Sequence, residues 1–258
     1  MSKFQGYIFD LDGTVYLGDH AIPGAPETIA ALRKRGCGVV FLSNKPLQPR
    51  EVYAEKLTRL GIPTSPDDVI NSSLVLARYL LREMADARLF VIGEQPLLDE
   101  MASAGLSLSD NPDEIDVVIA SCDRTFDYRK LDIGYQALRK GARFFATNAD
   151  RTCPVEGGDI PDAAAVIGAL EGCSGRKVEL IAGKPSEMIV TVVLDRLGLE
   201  ARDCLMVGDR LETDILMGNK AGMSTAVVLT GVTQREHIPH SSVTPDYVLD
   251  SVADILKI

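Results

Sequence analysis

Short, uninterrupted apolar runs set the strongest limit on what this chain can fold into. They are Gly6-Tyr7-Ile8-Phe9, Val39-Val40-Phe41-Leu42, Leu89-Phe90-Val91-Ile92, Val117-Val118-Ile119-Ala120, Leu205-Met206-Val207 and Ala226-Val227-Val228-Leu229. A strand apolar on both faces must be covered on both faces, as in a parallel sheet between layers of helices. The intervening segments supply the helices. Pro26 opens one, with Ile29 and Leu32 inward and Gly36 ending it. Tyr53, Leu57 and Leu60 recur at helical spacing in a stretch from Pro49 to Leu60, stopped by Gly61. Ser72 or Ser73 is placed to cap a helix carrying Leu74, Ala77, Leu81 and Met84. Tyr128–Lys140, Ala163–Leu170 and a segment with Ile189, Val192, Val193 and Leu197 inward read as further helices. Val69-Ile70, Arg143–Ala146 and Val178–Ile181 complete the expected strands.

The rest of the composition excludes several functions. No apolar stretch approaches the roughly 20 residues a membrane helix needs, so no membrane partner is expected. The N-terminus enters a strand at once, without a secretory signal; a cytoplasmic address is expected. Five cysteines, an odd number with no C-x-x-C pair, argue against a disulfide framework and against zinc. Three histidines are too few for a histidine-rich metal site. A net charge of −10 opposes a nucleic-acid partner, because a phosphate backbone needs a basic surface. An acidic chain that handles phosphate must concentrate positive charge in one place.

The segment that carries chemistry is Asp10-Leu11-Asp12-Gly13-Thr14, directly after the first expected strand. Ligands of open α/β sheets sit outside the carboxyl ends of the strands, and these carboxylates stand at such an end. On an extended chain, carboxylates two residues apart point to the same side, roughly 6–7 Å apart. One can then attack a phosphorus while the other reaches the leaving oxygen. Three more segments obey the same positional rule. Ser43-Asn44 follows the second strand, Asp209 and Asp214 follow Leu205–Val207, and Lys184 precedes Pro185 at a helix start. Singly, each reads as well as a helix cap or a solvated loop residue; together they outline one sheet edge.

As a set these segments resemble the four motifs of the haloacid dehalogenase-like hydrolases. Within that superfamily the chain resembles the NagD and p-nitrophenylphosphatase-like branch, which has an α/β cap of the C2 type inserted after the second motif. Phe41-Leu42-Ser43-Asn44, Ile92-Gly93-Glu94-Gln95 and Ala146-Thr147-Asn148-Ala149-Asp150 are most like the arabinose-operon sugar phosphatases. Ala182-Gly183-Lys184-Pro185-Ser186 and Leu229-Thr230-Gly231 match the wider branch.

The resemblance implies an α/β fold: a Rossmann-like parallel-sheet core at residues 1–81 and 179–258, with the cap at 82–178. It implies a small phosphate ester as substrate, a sugar phosphate foremost, with a nucleotide or cofactor phosphate as the alternative. Asp10 becomes the nucleophile and Asp12 the general acid and base. Mg²⁺ is held by Asp10, the Asp12 carbonyl and Asp209, with Asp214 behind them. Ser43 and Lys184, with backbone N–H groups near Gly13, Thr14 and Asn44, hold the phosphoryl oxygens. Lys45 stands where relatives of this branch often carry Asn; it reads either as a solvated loop lysine or as a second ammonium that draws anionic substrates to the same loop. The cap would contact substrate through Asn148 to Pro154, with Cys122, Cys153 and Asp162 nearby. Cys153 stands where some relatives carry His, and Pro161-Asp162-Ala163 replaces a Pro-Gly pair, so no single substrate transfers. The resemblance leaves monomer and homodimer both open.

Two rival functions are weaker on the residues. A receiver-like phospho-acceptor module would need neither Asp12 nor a second α/β unit. A mutase or phosphotransferase differs only in which acceptor meets the aspartyl-phosphate. The G-x-x-x-x-G-K-[ST], G-x-G-x-x-G and G-x-S-x-G templates do not occur.

Overall fold

The computed structural model describes residues 3–155 and 158–258. The chain packs as two units, one formed by residues 1–43, 50–70 and 184–258, the other by 44–49 and 71–183.

The first unit is built on a six-stranded sheet in the order Tyr247–Leu249, Ser224–Val228, Cys204–Gly208, Gly6–Asp10, Gly38–Ser43, Val69–Asn71. The pairings from Tyr247–Leu249 across to Gly38–Ser43 are parallel. In chain order these strands run 3-2-1-4-5-6 from the Val69–Asn71 edge. The order reverses between Gly6–Asp10 and Cys204–Gly208, the switch point at which such sheets bind ligands. Their apolar runs are buried as expected. Phe9 and Phe41 pack with Ile29 and Leu32 of the helix Ala25–Lys34, and with Tyr53 and Leu57 of the helix Arg50–Arg59.

The second unit has its own five-stranded sheet, in the order Leu180–Ile181, Arg143–Ala146, Val117–Ala120, Arg88–Ile92, Ser107–Leu108, all parallel. Ile92, Val118, Ala120 and Phe144 pack there with Ala137 and Leu138 of the helix Tyr128–Arg139 and with Val166 and Leu170 of the helix Ala163–Ser174. A hairpin pairs Thr152–Val155 with Gly158–Pro161.

Several local expectations need correction. The helix Ser72–Glu83 is capped by Asn71, whose side chain accepts from the Leu74 N–H, and not by Ser72 or Ser73. Its buried side is Val75, Leu76, Ala77 and Leu80, while Leu81 is exposed. This helix belongs to the second unit, where the Tyr79 ring meets Phe145 edge-on at 6.0 Å. Leu180–Ile181 pairs with Phe145 and Ala146, so it too belongs there and not to the core. The unit boundaries in the structure lie at 71 and 183, beside the cap bounds expected near 82 and 178. Strand pairing and ring packing decide them, and neither shows in local composition.

Candidate active site

Asp10 ends the strand Gly6–Asp10, and Asp209 follows directly on the neighbouring strand Cys204–Gly208, where Phe9 lies opposite Val207. The two carboxylates therefore leave adjacent strand ends at the switch point. Ser43 ends the strand on the other side of Asp10 and is buried.

The extended geometry expected through Asp12 stops at Asp10. The Leu11 carbonyl accepts the N–H groups of Thr14 (3.3 Å), Val15 (2.9 Å) and Tyr16 (3.2 Å), curling the chain into a tight turn. The Gly13 N–H donates to the Tyr16 carbonyl at 2.8 Å. That amide is spent on the turn rather than offered to a phosphoryl oxygen. Gly13 has φ +83°, and a side chain there would meet Asp209 Oδ2 at 2.7 Å. Glycine satisfies both demands. Asp12 is half-buried beside it, and the Thr14 hydroxyl is buried with no hydrogen-bond partner among the described residues.

Asp214 arrives by a different device. Residues Leu211–Ile215 form one π-helical turn, in which the Arg210 carbonyl accepts from Asp214 N and Ile215 N. Such widened turns are rare and recur at functional sites. The turn lays the Asp214 side chain against Gly208, where a Cβ would sit 2.3 Å from its carboxyl carbon. Lys184 lies two residues before Ser186, the N-cap of the helix Glu187–Leu197, and is buried.

These side chains form one constellation. The Lys184 ammonium donates to Asp10 Oδ1 at 2.5 Å and to Asp214 Oδ1 at 2.7 Å. Asp10, Asp209 and Asp214 each place a carboxylate oxygen within 4.8 Å of the others, and all three are buried. Burial raises the Asp10 pKa well above the carboxylate range, and Asp214 and Asp209 add to this against the pull of Lys184. Burial, with Asp214, also pushes Asp209 up to about 6. Burial opposes the charge on Lys184, but Asp10 and Asp214 outweigh it and hold the ammonium above its ordinary range.

When all three carboxylates are ionised, the single buried ammonium leaves a formal surplus of two negative charges, which Arg210 opposes at Asp209. Uncompensated buried charge costs several kcal/mol per ion, and an all-oxygen donor set suits a hard divalent cation. The residues fit Mg²⁺ on that count. Asp214 has one oxygen on Lys184 and the other on Arg210 N at 3.1 Å. Asp209 has Oδ2 on Val232 N at 2.7 Å, and Thr230 Oγ1 donates to the Gly13 carbonyl at 2.6 Å. The roles of Thr230 and Val232 were not anticipated. Leu229-Thr230-Gly231 after the fifth core strand was the available signal.

The remaining expected residues gather in the second unit, at the carboxyl edge of its sheet. Cys122, Asn148, Cys153 and Asp162 are all buried. Asn148 donates to the Asn44 carbonyl at 2.9 Å, and Asn44 donates to Asp150 Oδ2 at 3.0 Å. Both expected substrate contacts therefore have structural partners. Asp162 caps the helix Ala163–Ser174, and burial raises its pKa while Lys45 is close enough to oppose that. Burial, with Asp162, pushes the Cys122 thiol up to about 12. Two ion pairs here escaped the sequence reading: Arg124 grips Glu94 through Nε (2.6 Å) and a terminal nitrogen (2.7 Å), and Lys130 binds Asp123 at 2.6 Å.

Comparison with known proteins agrees with this geometry. A haloacid dehalogenase-like hydrolase family model matches residues 7–107, and a second, HAD-hydrolase-like model matches residues 181–255. The sugar-phosphatase AraL of Bacillus subtilis is 41% identical over 98% of this chain and 92% of its own. The chain belongs to the haloacid dehalogenase-like hydrolases. Among solved structures of these hydrolases, the 4-nitrophenylphosphatase of Thermotoga maritima superposes with a TM-score of 0.94 at 33% identity, covering 99% of this chain and 97% of that one. NagD of E. coli K-12 gives 0.90 at 30% identity, covering 98% of each. The expected branch and the parallel-sheet α/β fold both hold. Among the described residues no helix is long and apolar enough to cross a membrane.

Proposed function

We propose that this hydrolase is a Mg²⁺-dependent phosphatase of small phosphate monoesters, sugar phosphates foremost, working through an aspartyl-phosphate on Asp10. The observation that carries the reading is the buried Asp10–Lys184–Asp214 contact with Asp209 alongside. Lys184 holds Asp10 Oδ1, which leaves the other oxygen to attack. That oxygen bonds to phosphorus as the P–O bond to the leaving group breaks, and Asp12 protonates the departing alkoxide. In the second step Asp12 takes a proton from water. The water oxygen bonds to phosphorus, the acyl-phosphate bond breaks, and inorganic phosphate leaves.

Ser43 and Lys184 hold phosphoryl oxygens, where fixed donors in a dry site act at full strength. Asp10, Asp209 and the Asp12 carbonyl hold Mg²⁺, with Asp214 orienting Lys184. The ion, when bound, neutralises the carboxylate surplus and the charge developing on the phosphoryl group. The sugar-phosphate preference is taken from AraL, at 41% identity. The test is phosphate release from p-nitrophenyl phosphate and a panel of sugar, nucleotide and cofactor phosphates, with and without EDTA. Release from sugar phosphates that ceases on chelation supports the reading. Metal-independent release, or none from any ester, overturns it.

A further inference from the structure

The residue after Ser43 is Asn44 and the residue before Lys184 is Gly183, and these two touch. A Cβ at position 183 would lie 2.6 Å from Asn44 Oδ1 and 2.8 Å from the Thr147 carbonyl oxygen, closer than a side-chain carbon tolerates. The Gly183 N–H donates to that same Thr147 carbonyl at 2.7 Å. The Asn44 side chain is held from the other end by Asp150, at 3.0 Å. The Asn44 carbonyl accepts the Ser72 hydroxyl at 2.7 Å and the Asn148 amide at 2.9 Å, which fills both lone pairs of that oxygen. Asn44, Ser72, Thr147 and Asn148 are all buried. Ser72 rides on the first turn of a helix whose cap, Asn71, accepts from Leu74 N at 3.0 Å, so its hydroxyl has a fixed origin.

None of these groups takes part in the proposed chemistry, yet they converge on the sequence neighbours of both proposed phosphate ligands. We propose that Ser72 and Asn148 are positioning residues for phosphate binding that act through Asn44. Two donors on one carbonyl set the plane of the Asn44–Lys45 peptide and with it the exit of the chain from Ser43. The contact of Asn44 with Gly183 carries the same constraint to Lys184. Together they fix the separation of the hydroxyl and the ammonium that must meet one phosphoryl group. Preorganised donors lose much of their effect when they must be reoriented during the reaction, and a buried network weakens as a whole when one member is removed. The proposal rests on the reading of Ser43 and Lys184 as phosphate ligands.

The test compares wild type with Ser72→Ala, Ser72→Thr and Asn148→Ala. Each is assayed for turnover of p-nitrophenyl phosphate and of a sugar phosphate, for inhibition by inorganic phosphate, and for thermal unfolding. Ser72→Ala and Asn148→Ala should lower kcat/KM about tenfold on both esters alike and weaken phosphate inhibition by a similar factor. Ser72→Thr keeps the hydroxyl and should stay near wild type. The proposal fails if Ser72→Ala melts earlier yet keeps wild-type kcat/KM and phosphate inhibition. It fails equally if the loss differs between the two esters, or if Ser72→Thr is as impaired as Ser72→Ala. Where Ser72→Ala does not fold, Asn148→Ala decides by the same readouts. A wild-type protein inert toward both esters would overturn the phosphatase reading, and this proposal with it.

Discussion

Two sheets in this protein are built alike, yet their carboxyl edges hold different chemistry. In the first unit the strand ends gather Asp10, Asp209 and Asp214 around the single ammonium of Lys184, all buried. In the second unit the corresponding edge gathers Glu94 with Arg124, Asp123 with Lys130, and Asn44 with Asp150: two ion pairs and an amide-to-carboxylate hydrogen bond. A parallel sheet supplies a rim of loops in both cases. The first rim concentrates three buried carboxylates around one ammonium, the kind of donor set that suits a hard cation, whereas the ion pairs and hydrogen bonds of the second hold its loops in shape.

The largest effect that can break this contrast is at Asp10. Asp10→Asn keeps the shape but removes the attacking charge, so kcat should fall by roughly 10⁴-fold or more. Phosphate release, with circular dichroism as the control for folding, checks it. A variant retaining a tenth of wild-type kcat would remove Asp10 from the nucleophile's role.

Cation binding comes next. The metal-free protein should gain about 2.7 kcal/mol of stability at a Mg²⁺ concentration a hundredfold above Kd, read as a rise in Tm. The pH dependence follows from Asp209, whose pKa is pushed up to about 6 by burial and Asp214. A raised carboxylate stabilises the fold fully only below the unfolded value of about 3.9, and that contribution is lost as pH rises through about 6. Without divalent cation, Tm should therefore drop between these limits, and Mg²⁺ should restore most above the upper one. A Tm that Mg²⁺ does not move at neutral pH would mean the carboxylate surplus is compensated in some other way.

Away from the Asn44 network, the helix cap and ion pairs of the second rim should respond only in stability. Asp162→Ala removes a helix cap and should cost about 1 kcal/mol, with Asp162→Asn recovering most of it. In urea unfolding the two should separate, while kcat on p-nitrophenyl phosphate stays near wild type for both. Smallest of all, Arg124→Gln breaks a pair whose arginine is 59% exposed, so it should cost at most about 1 kcal/mol. A collapse of turnover on p-nitrophenyl phosphate in either case would show that the second rim is part of the chemistry.

The strands were legible in the sequence because burial on both faces leaves a continuous apolar run, and Val117–Ala120 and Arg143–Ala146 are found with the expected bounds. Asp10, Ser43, Lys184 and Asp209 were legible because each sits beside a strand or helix terminus, where composition changes abruptly. Helix partners were not. Nothing within Ser72–Glu83 says that Tyr79 meets Phe145, and two residues at Leu180–Ile181 cannot declare which sheet they join.

By itself, then, the sequence determined the class of fold and the residue types at the strand ends, since both follow from local periodicity and from where apolar runs stop. Tertiary structure alone decided that Asp12 lies in a turn, that a π-helical turn brings Asp214 to Lys184, and that Thr230 and Val232 tie Gly13 and Asp209. It also decided that Asn148 serves the Asn44 carbonyl. These contacts join residues far apart in the chain, as Lys184 and Asp10 are 174 positions apart. A short motif records which groups are available, and only the packed chain sets which of them meet and which charge stays uncompensated.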